Sequence, residues 1–219
     1  MKLPKPKAVI FDWDDTIVDS WHTALEALNT ALVAMGHAPW SDEEARRRAG
    51  ASARDLFQQL FGDRWQEADK IYYDTFNKIF LKNMRIHAQA EEVLKALAKN
   101  KVYMAVVSNK RGHLLRAEAG HIKFDQYFGK IVGAGDAKAD KPDPAPVHLA
   151  LQDSGIAAGS DVWFVGDSHA DMLCALNAGC IPILIETKPP PEETLAKNPP
   201  LHRFKKHSDL MEFINKCFT

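Results

Sequence analysis

The residues with the most chemistry in them are carboxylates at the ends of apolar runs. Asp12-Trp13-Asp14-Asp15-Thr16 sets three acids in four positions directly after Ala8–Phe11. Like charges this close repel one another unless something positive sits among them, and a divalent cation is the natural answer. Magnesium suits such a sparse set, because it takes hard oxygen ligands and usually only one or two carboxylates besides water and substrate phosphate. A second set, Gly166-Asp167-Ser168-His169-Ala170-Asp171, follows the apolar run 162–165. Asp167 and Asp171 would share a helix face if a helix opens near Ser168. Taken singly, the first cluster is also an ordinary acidic turn before a helix near Asp19, and the second an ordinary N-cap. Their joint occurrence weakens that plainer account. Ser108-Asn109-Lys110 follows the run 102–107, and Lys141-Pro142-Asp143-Pro144 lies a short loop beyond 130–132. A hydroxyl, an amide and backbone N–H groups can hold phosphate oxygens, while a lysine supplies a compact positive charge. Each alone is equally a turn serine or a solvated lysine.

These groups work together only if the elements that carry them converge. The runs 8–11, 102–107, 130–132, 162–165 and 181–185 are short, apolar and rich in β-branched residues, as buried parallel strands are. Helical patterns separate them at 90–99, 113–119, 146–154, 169–178 and 208–216, the last with Ser208 as its N-cap. Strand and helix alternate, which predicts an α/β fold, a Rossmann-like parallel sheet core. In such sheets ligands bind outside the carboxyl ends of the strands, where both acidic clusters fall. From residue 20 to 83 the strand signal gives way to helical periodicity, in WHTALEALNTALVAM, DEEARRR, ARDLFQQLF and WQEADKIYYDTFNKIFLKN. This predicts an all-helical cap at 20–83 inserted into a core made of 1–19 and 84–219, standing as a lid over the strand ends. The proline-rich stretch 186–200 is expected to be an extended surface loop.

Composition narrows the function classes. With 46% apolar and 26% charged residues the chain is built like a soluble globular protein. Its 28 basic and 29 acidic residues leave no basic field for nucleic acid or anionic lipid, so neither is expected as a partner. The three cysteines, Cys174, Cys180 and Cys217, lack paired spacing and fit a reducing cytoplasm. The apolar run near the start is too short for a signal or a membrane span.

An apolar strand followed by DxDxT, a strand followed by serine, a lysine before proline, and a strand followed by GDSxxD together resemble the haloacid dehalogenase-like hydrolase superfamily, across nearly the whole chain. The resemblance implies that Asp12 attacks phosphorus to form an aspartyl phosphate, which water then hydrolyses. Asp14 would be general acid and then general base. It further implies Mg2+ held by the carboxylates of Asp12 and Asp167 and the Asp14 backbone carbonyl, with Asp171 contacting the ion directly or through its waters, and a phosphoryl group held by Thr16, Ser108 and Lys141. Asp15 departs from the pattern, since glycine is more usual there; a side chain at that place adds negative charge and removes a permissive backbone position.

The scaffold hosts several reactions. A dehalogenase needs neither metal nor a second acid, and a phosphonatase uses a cap lysine, whereas no lysine occurs from Ser20 to Asp69. A phosphatase acting on a small phosphorylated metabolite is the leading expectation, as monomer or homodimer. A phosphosugar mutase, a pyrophosphatase and a catalytically silent metabolite sensor are the alternatives. ARRRAGASARDLF, together with Ser108-Asn109-Lys110, looks most like the phosphoglycolate phosphatase branch. Arg48 and Arg54 are accordingly candidate substrate contacts, beside Thr16 and Asn109, although arginines here could equally form a solvated helix face. Trp13 falls near the expected site entrance, and the other tryptophans read as packing residues.

Overall fold

The computed structural model describes residues 4–48, 53–187 and 191–218, with the side chains at 46, 47 and 53–55 outside the description. The chain forms two compact units, Met1–Asp19 with Ile86–Thr219, and Ser20–Arg85.

The first unit is built on a six-stranded parallel sheet. Its strands are β1 (Ala8–Phe11), β4 (Tyr103–Arg111), β5 (Lys130–Ala134), β6 (Val162–Gly166), β7 (Ile181–Ile185) and β8 (His202–Phe204), in the order β5-β4-β1-β6-β7-β8. Two short strands, β2 (Val18–Asp19) and β3 (Arg85–Ile86), form a separate pair. All four residues of β1 are at most 2% exposed, which is why this strand reads as an unbroken apolar run. Ala8 and Ile10 pack with Ala105, Val107, Phe164, Val147, Cys174 and Ala175. On the other face, the Phe11 ring meets Phe128 edge-on at 6.5 Å. The strand order reverses direction at β1, since β4 pairs on one side (Phe11 with Val106) and β6 on the other (Phe11 with Val165). A crevice at such a switch point lies outside the carboxyl ends of β1 and β6.

The helices of this unit are α5 (Ala90–Lys99), α6 (Gly112–His121), α7 (Ala145–Leu151), α8 (His169–Asn177), α9 (Glu192–Leu195) and α10 (His207–Phe218). Four expectations need correction. The loop predicted for 186–200 contains α9, because Leu195 is buried against Met172 and Leu184 and that burial favours a helical turn just after Pro191. Ser208 is the second residue of α10, not its N-cap; the first turn closes on the Lys206 carbonyl. The helix expected at 146–154 ends at Leu151. Finally β4 runs on through Ser108, Asn109 and Lys110 to Arg111, with a register shift against β5 after Val107.

The second unit is all helical: α1 (Trp21–Ala34), α2 (Asp42–Arg48), α3 (Ala53–Phe61) and α4 (Trp65–Asn83). Its apolar stripes meet in its own core, where Leu32, Trp40 and Ala45 pack with Leu25, Leu56 and Leu60, and Met35, Phe57 and Ala68 pack with Ile71 and Tyr72. No described helix is long and apolar enough to cross a membrane.

Candidate active site

Asp12 is the first residue beyond β1, and its backbone N–H donates to the Val165 carbonyl of β6 at 2.9 Å. That bond ties the start of the first acidic cluster to the strand leading into the second. Asp12, Asp167 and Asp171 are all buried, and one carboxylate oxygen from each lies within 4.8 Å of the others. Lys141 reaches this group from the loop after β5. Its Nζ donates to Asp12 Oδ1 at 2.6 Å and to Asp171 Oδ1 at 2.7 Å, with the side chain 4% exposed.

Asp167 and Asp171 do not share a helix face, although their spacing predicts one for a helix that opens near Ser168. Asp167 precedes α8, and Ser168 is the N-cap. Asp171 closes a capping box: its Oδ2 accepts from Ser168 N at 2.9 Å and Oγ at 2.6 Å, while Ser168 Oγ accepts from Asp171 N. Gly166 makes the approach possible, since a Cβ there would lie 2.4 Å from Asp171 Cγ.

Electrostatics set the demand of the site. Three carboxylates face one ammonium. Burial, followed by the Asp171 carboxylate, pushes Asp12 up to about 7, against a drop favoured by Lys141. Burial and the Asp171 and Asp12 charges likewise raise Asp167 well above the usual carboxylate range. Burial alone would lower Lys141, but Asp12 and Asp171 more than offset it and raise it above the ordinary lysine value. A divalent cation among oxygen donors would remove the excess negative charge, and the hard-oxygen donor set fits magnesium.

The remaining candidates divide. Ser108 is 5% exposed, and its Oγ accepts from Lys110 N at 3.2 Å. Thr16 Oγ1 donates to Asp167 Oδ1 at 3.2 Å, so this hydroxyl is drawn into the carboxylate group. Asn109, expected as a substrate contact, pairs with the Lys141 backbone: Nδ2 donates to its carbonyl and Oδ1 accepts from its N–H, each at 3.0 Å. It thereby fixes the loop that presents Lys141. Asp14 stands apart from the three-carboxylate group, with Oδ1 accepting from Lys110 Nζ at 2.7 Å. Trp13 is fully buried, not at an entrance, and its Nε1 donates to Glu118 at 2.6 Å. In the helical unit Arg48 pairs with Glu44 at 2.9 Å and lies over the Trp40 ring at 4.5 Å. The Arg54 side chain lies outside the described residues. Asp15 has φ 59°, the left-handed conformation that explains why glycine is usual there; aspartate is among the few side chains that tolerate it. Cys174 and Cys180 are buried, and burial pushes the Cys174 thiol up to about 12, which leaves it inert.

Two partners escaped the sequence reading. His207 Nε2 donates to the Thr16 carbonyl at 2.7 Å across 191 positions, and nothing local to His207 signals it. Glu118 did leave a trace: it lies three and four residues from the buried Leu115 and Leu114, on the apolar stripe of α6.

The family model for haloacid dehalogenase-like hydrolases matches residues 9–185, which include every core motif described above. A phosphoglycolate phosphatase of Photorhabdus laumondii is 29% identical over 80% of this chain and 77% of its own length. A protein of Caldanaerobacter subterraneus named as a candidate pyrophosphatase, PpaX, is 29% identical over 97% of this chain and 96% of its own. Among solved structures, a HAD-superfamily hydrolase from Ehrlichia chaffeensis is 30% identical, with a TM-score of 0.68 over 99% of this chain and 100% of that one. The sheet order, the carboxylate cluster at its switch point and the extent of these matches agree: the chain belongs to the haloacid dehalogenase-like hydrolase family.

Proposed function

We propose that this chain is a magnesium-dependent phosphatase that hydrolyses a small phosphate monoester through an aspartyl phosphate on Asp12, with phosphoglycolate as the first substrate candidate. The observation that carries the proposal is the buried meeting of Asp12, Asp167 and Asp171 around Lys141 at the carboxyl end of β1. Asp12, Asp167, Asp171 and the Asp14 carbonyl would hold the ion, which neutralises phosphoryl oxygens and so makes phosphorus open to attack.

The residues perform the rest. Lys141 holds Asp12 Oδ1, so Oδ2 is the oxygen that bonds to phosphorus as the ester P–O bond breaks. The leaving oxygen takes its proton from Asp14. Asp14 then removes a proton from water, whose oxygen attacks phosphorus and breaks the bond to Asp12, releasing inorganic phosphate. Ser108 and Thr16, both buried, and the Lys141 ammonium bind and offset the phosphoryl oxygens. Substrate choice is assigned to the helical insertion at 20–83, with Arg48 and Arg54 as the residues to mutate first.

Turnover of p-nitrophenyl phosphate with magnesium, abolished in Asp12→Asn, is the expected result; retained turnover in that variant would end the covalent mechanism. A panel of phosphoglycolate, sugar phosphates, nucleotides and pyrophosphate, compared by kcat/KM, tests the substrate. Pyrophosphate is the second candidate, supported by the nearly full-length match to PpaX. Ligand-induced stabilisation without turnover on any ester would favour a sensor instead.

A further inference from the structure

Four side chains in the first unit close a circuit that the reaction as described does not require. Lys110 Nζ donates to Asp14 Oδ1 at 2.7 Å and to both oxygens of Glu118, at 2.7 and 2.6 Å. Glu118 Oε2 also accepts from Trp13 Nε1 at 2.6 Å. Trp13 and Asp14 are consecutive, so the backbone between them completes the ring. The Lys110 and Glu118 side chains are 7% and 2% exposed, whereas that of Asp14 is 31% exposed. The anchored end of the circuit is buried and the Asp14 end faces outward.

A buried ion pair is a poor way to gain stability, because desolvation of both charges offsets most of their attraction and apolar residues of similar volume do as well. Glu118 sits on the apolar stripe of α6 among Leu114, Leu115 and Ala119, where an apolar side chain would fit that stripe. The pair is better explained by what it holds. We infer that Lys110 and Glu118 are positioning residues for Asp14, a fixed mount that sets the rotamer of the acid and base; this rests on the phosphatase reading above. The Lys110 ammonium cannot follow a rotation of Asp14, because two Glu118 oxygens on a helix pin it. With Oδ1 held, Oδ2 is the oxygen that carries the proton.

Displacing a reacting group by about 1 Å can cost about 10²-fold, within the 10²–10⁴-fold that a general acid or base supplies. The loss should depend on the leaving group. The parameter kcat/KM covers formation of the phosphoenzyme, in which Asp14 protonates the leaving oxygen. A poor alkoxide leaving group needs that proton and a nitrophenolate does not.

The test compares wild type, Lys110→Met and the double variant Lys110→Met/Glu118→Gln. The double variant leaves no unpaired buried charge and keeps an acceptor for Trp13. The esters are p-nitrophenyl phosphate and the alkyl phosphate with the highest kcat/KM in the panel above. The expected result is a loss of roughly 10–100-fold in kcat/KM on the alkyl ester and less than about 3-fold on the aryl ester, with kcat lowered on both. Equal loss on both esters, or none, would overturn the inference. So would failure of both variants to fold, which would assign the pair to stability. Wild type inactive on every ester would refute the phosphatase reading, and this inference with it.

Discussion

Replacing Asp12 by asparagine should remove activity and, in the absence of divalent metal, make the protein more stable. Asp12 is raised from 3.8 to about 7, chiefly by burial and then by the Asp171 charge. A carboxyl whose folded value lies above its unfolded value binds more protons in the folded state, so its charging opposes folding. The effect is absent below about pH 4, where both states are protonated. It grows between about pH 4 and 7 and is complete above. The interval from 3.8 to about 7, at ~1.4 kcal/mol per pH unit, corresponds to about 4 kcal/mol. For a chain of this length each kcal/mol moves Tm by roughly 2–4 °C, so the ceiling is about 8–16 °C. Asparagine is close to the protonated acid in shape and cannot charge. Scanning calorimetry in chelator should therefore show the Asp12→Asn Tm rising relative to wild type from pH 4 to pH 8. Adding magnesium should narrow the gap, since an ion that binds only the folded state stabilises wild type by about 2.7 kcal/mol at 100 times its Kd, and the variant lacks one of its carboxylates. A variant that melts below wild type in chelator at pH 8, or that gains as much from magnesium, would refute the claim that crowded carboxylates define this site.

Two further outcomes follow from the same geometry. Gly166→Ala puts a Cβ 2.4 Å from Asp171 Cγ, so the capping box must shift; a stability loss of about 1–3 kcal/mol and a fall in kcat of at least ~10-fold are expected, checked by melting and steady-state kinetics. His207 is lowered to about 4, mainly by burial, from an ordinary 6.5. The unfolded state then binds the extra proton between those values, so stability is lost as pH falls from 6.5 toward 4. In magnesium, the difference in unfolding free energy between wild type and His207→Gln should change by about 3 kcal/mol across that window, and an unchanged difference would exclude His207 as its source.

Much of the fold was legible because a parallel strand covered on both faces must be apolar throughout. β1, β6 and β7 are continuous runs for that reason. β8 was not legible: His202-Arg203-Phe204 buries only Phe204 and lies at the sheet edge, so it carries no run of apolar residues. α9 was hidden by prolines, since the buried contact of Leu195 that favours it comes from residues 172 and 184. The candidate site was legible as residue types placed after strands. The pairing of Asn109 with the Lys141 backbone was not legible, because a side-chain amide has the same chemistry toward a phosphate oxygen as toward a backbone peptide.

Which groups are present, and that the strands deliver them to one edge of a sheet, can be read along the chain, since apolar periodicity and acids just past each strand are properties of neighbouring residues. What each group touches depends on packing between distant segments. Lys141 meets Asp12 across 129 positions and Glu118 meets Trp13 across 105. No local pattern encodes such pairs, because a buried charge chooses its partner by the distance and desolvation that packing imposes. For the same reason Asp12 could be read from the chain as a carboxylate, while its elevation to about 7 depends on burial and on Asp171, which the fold supplies.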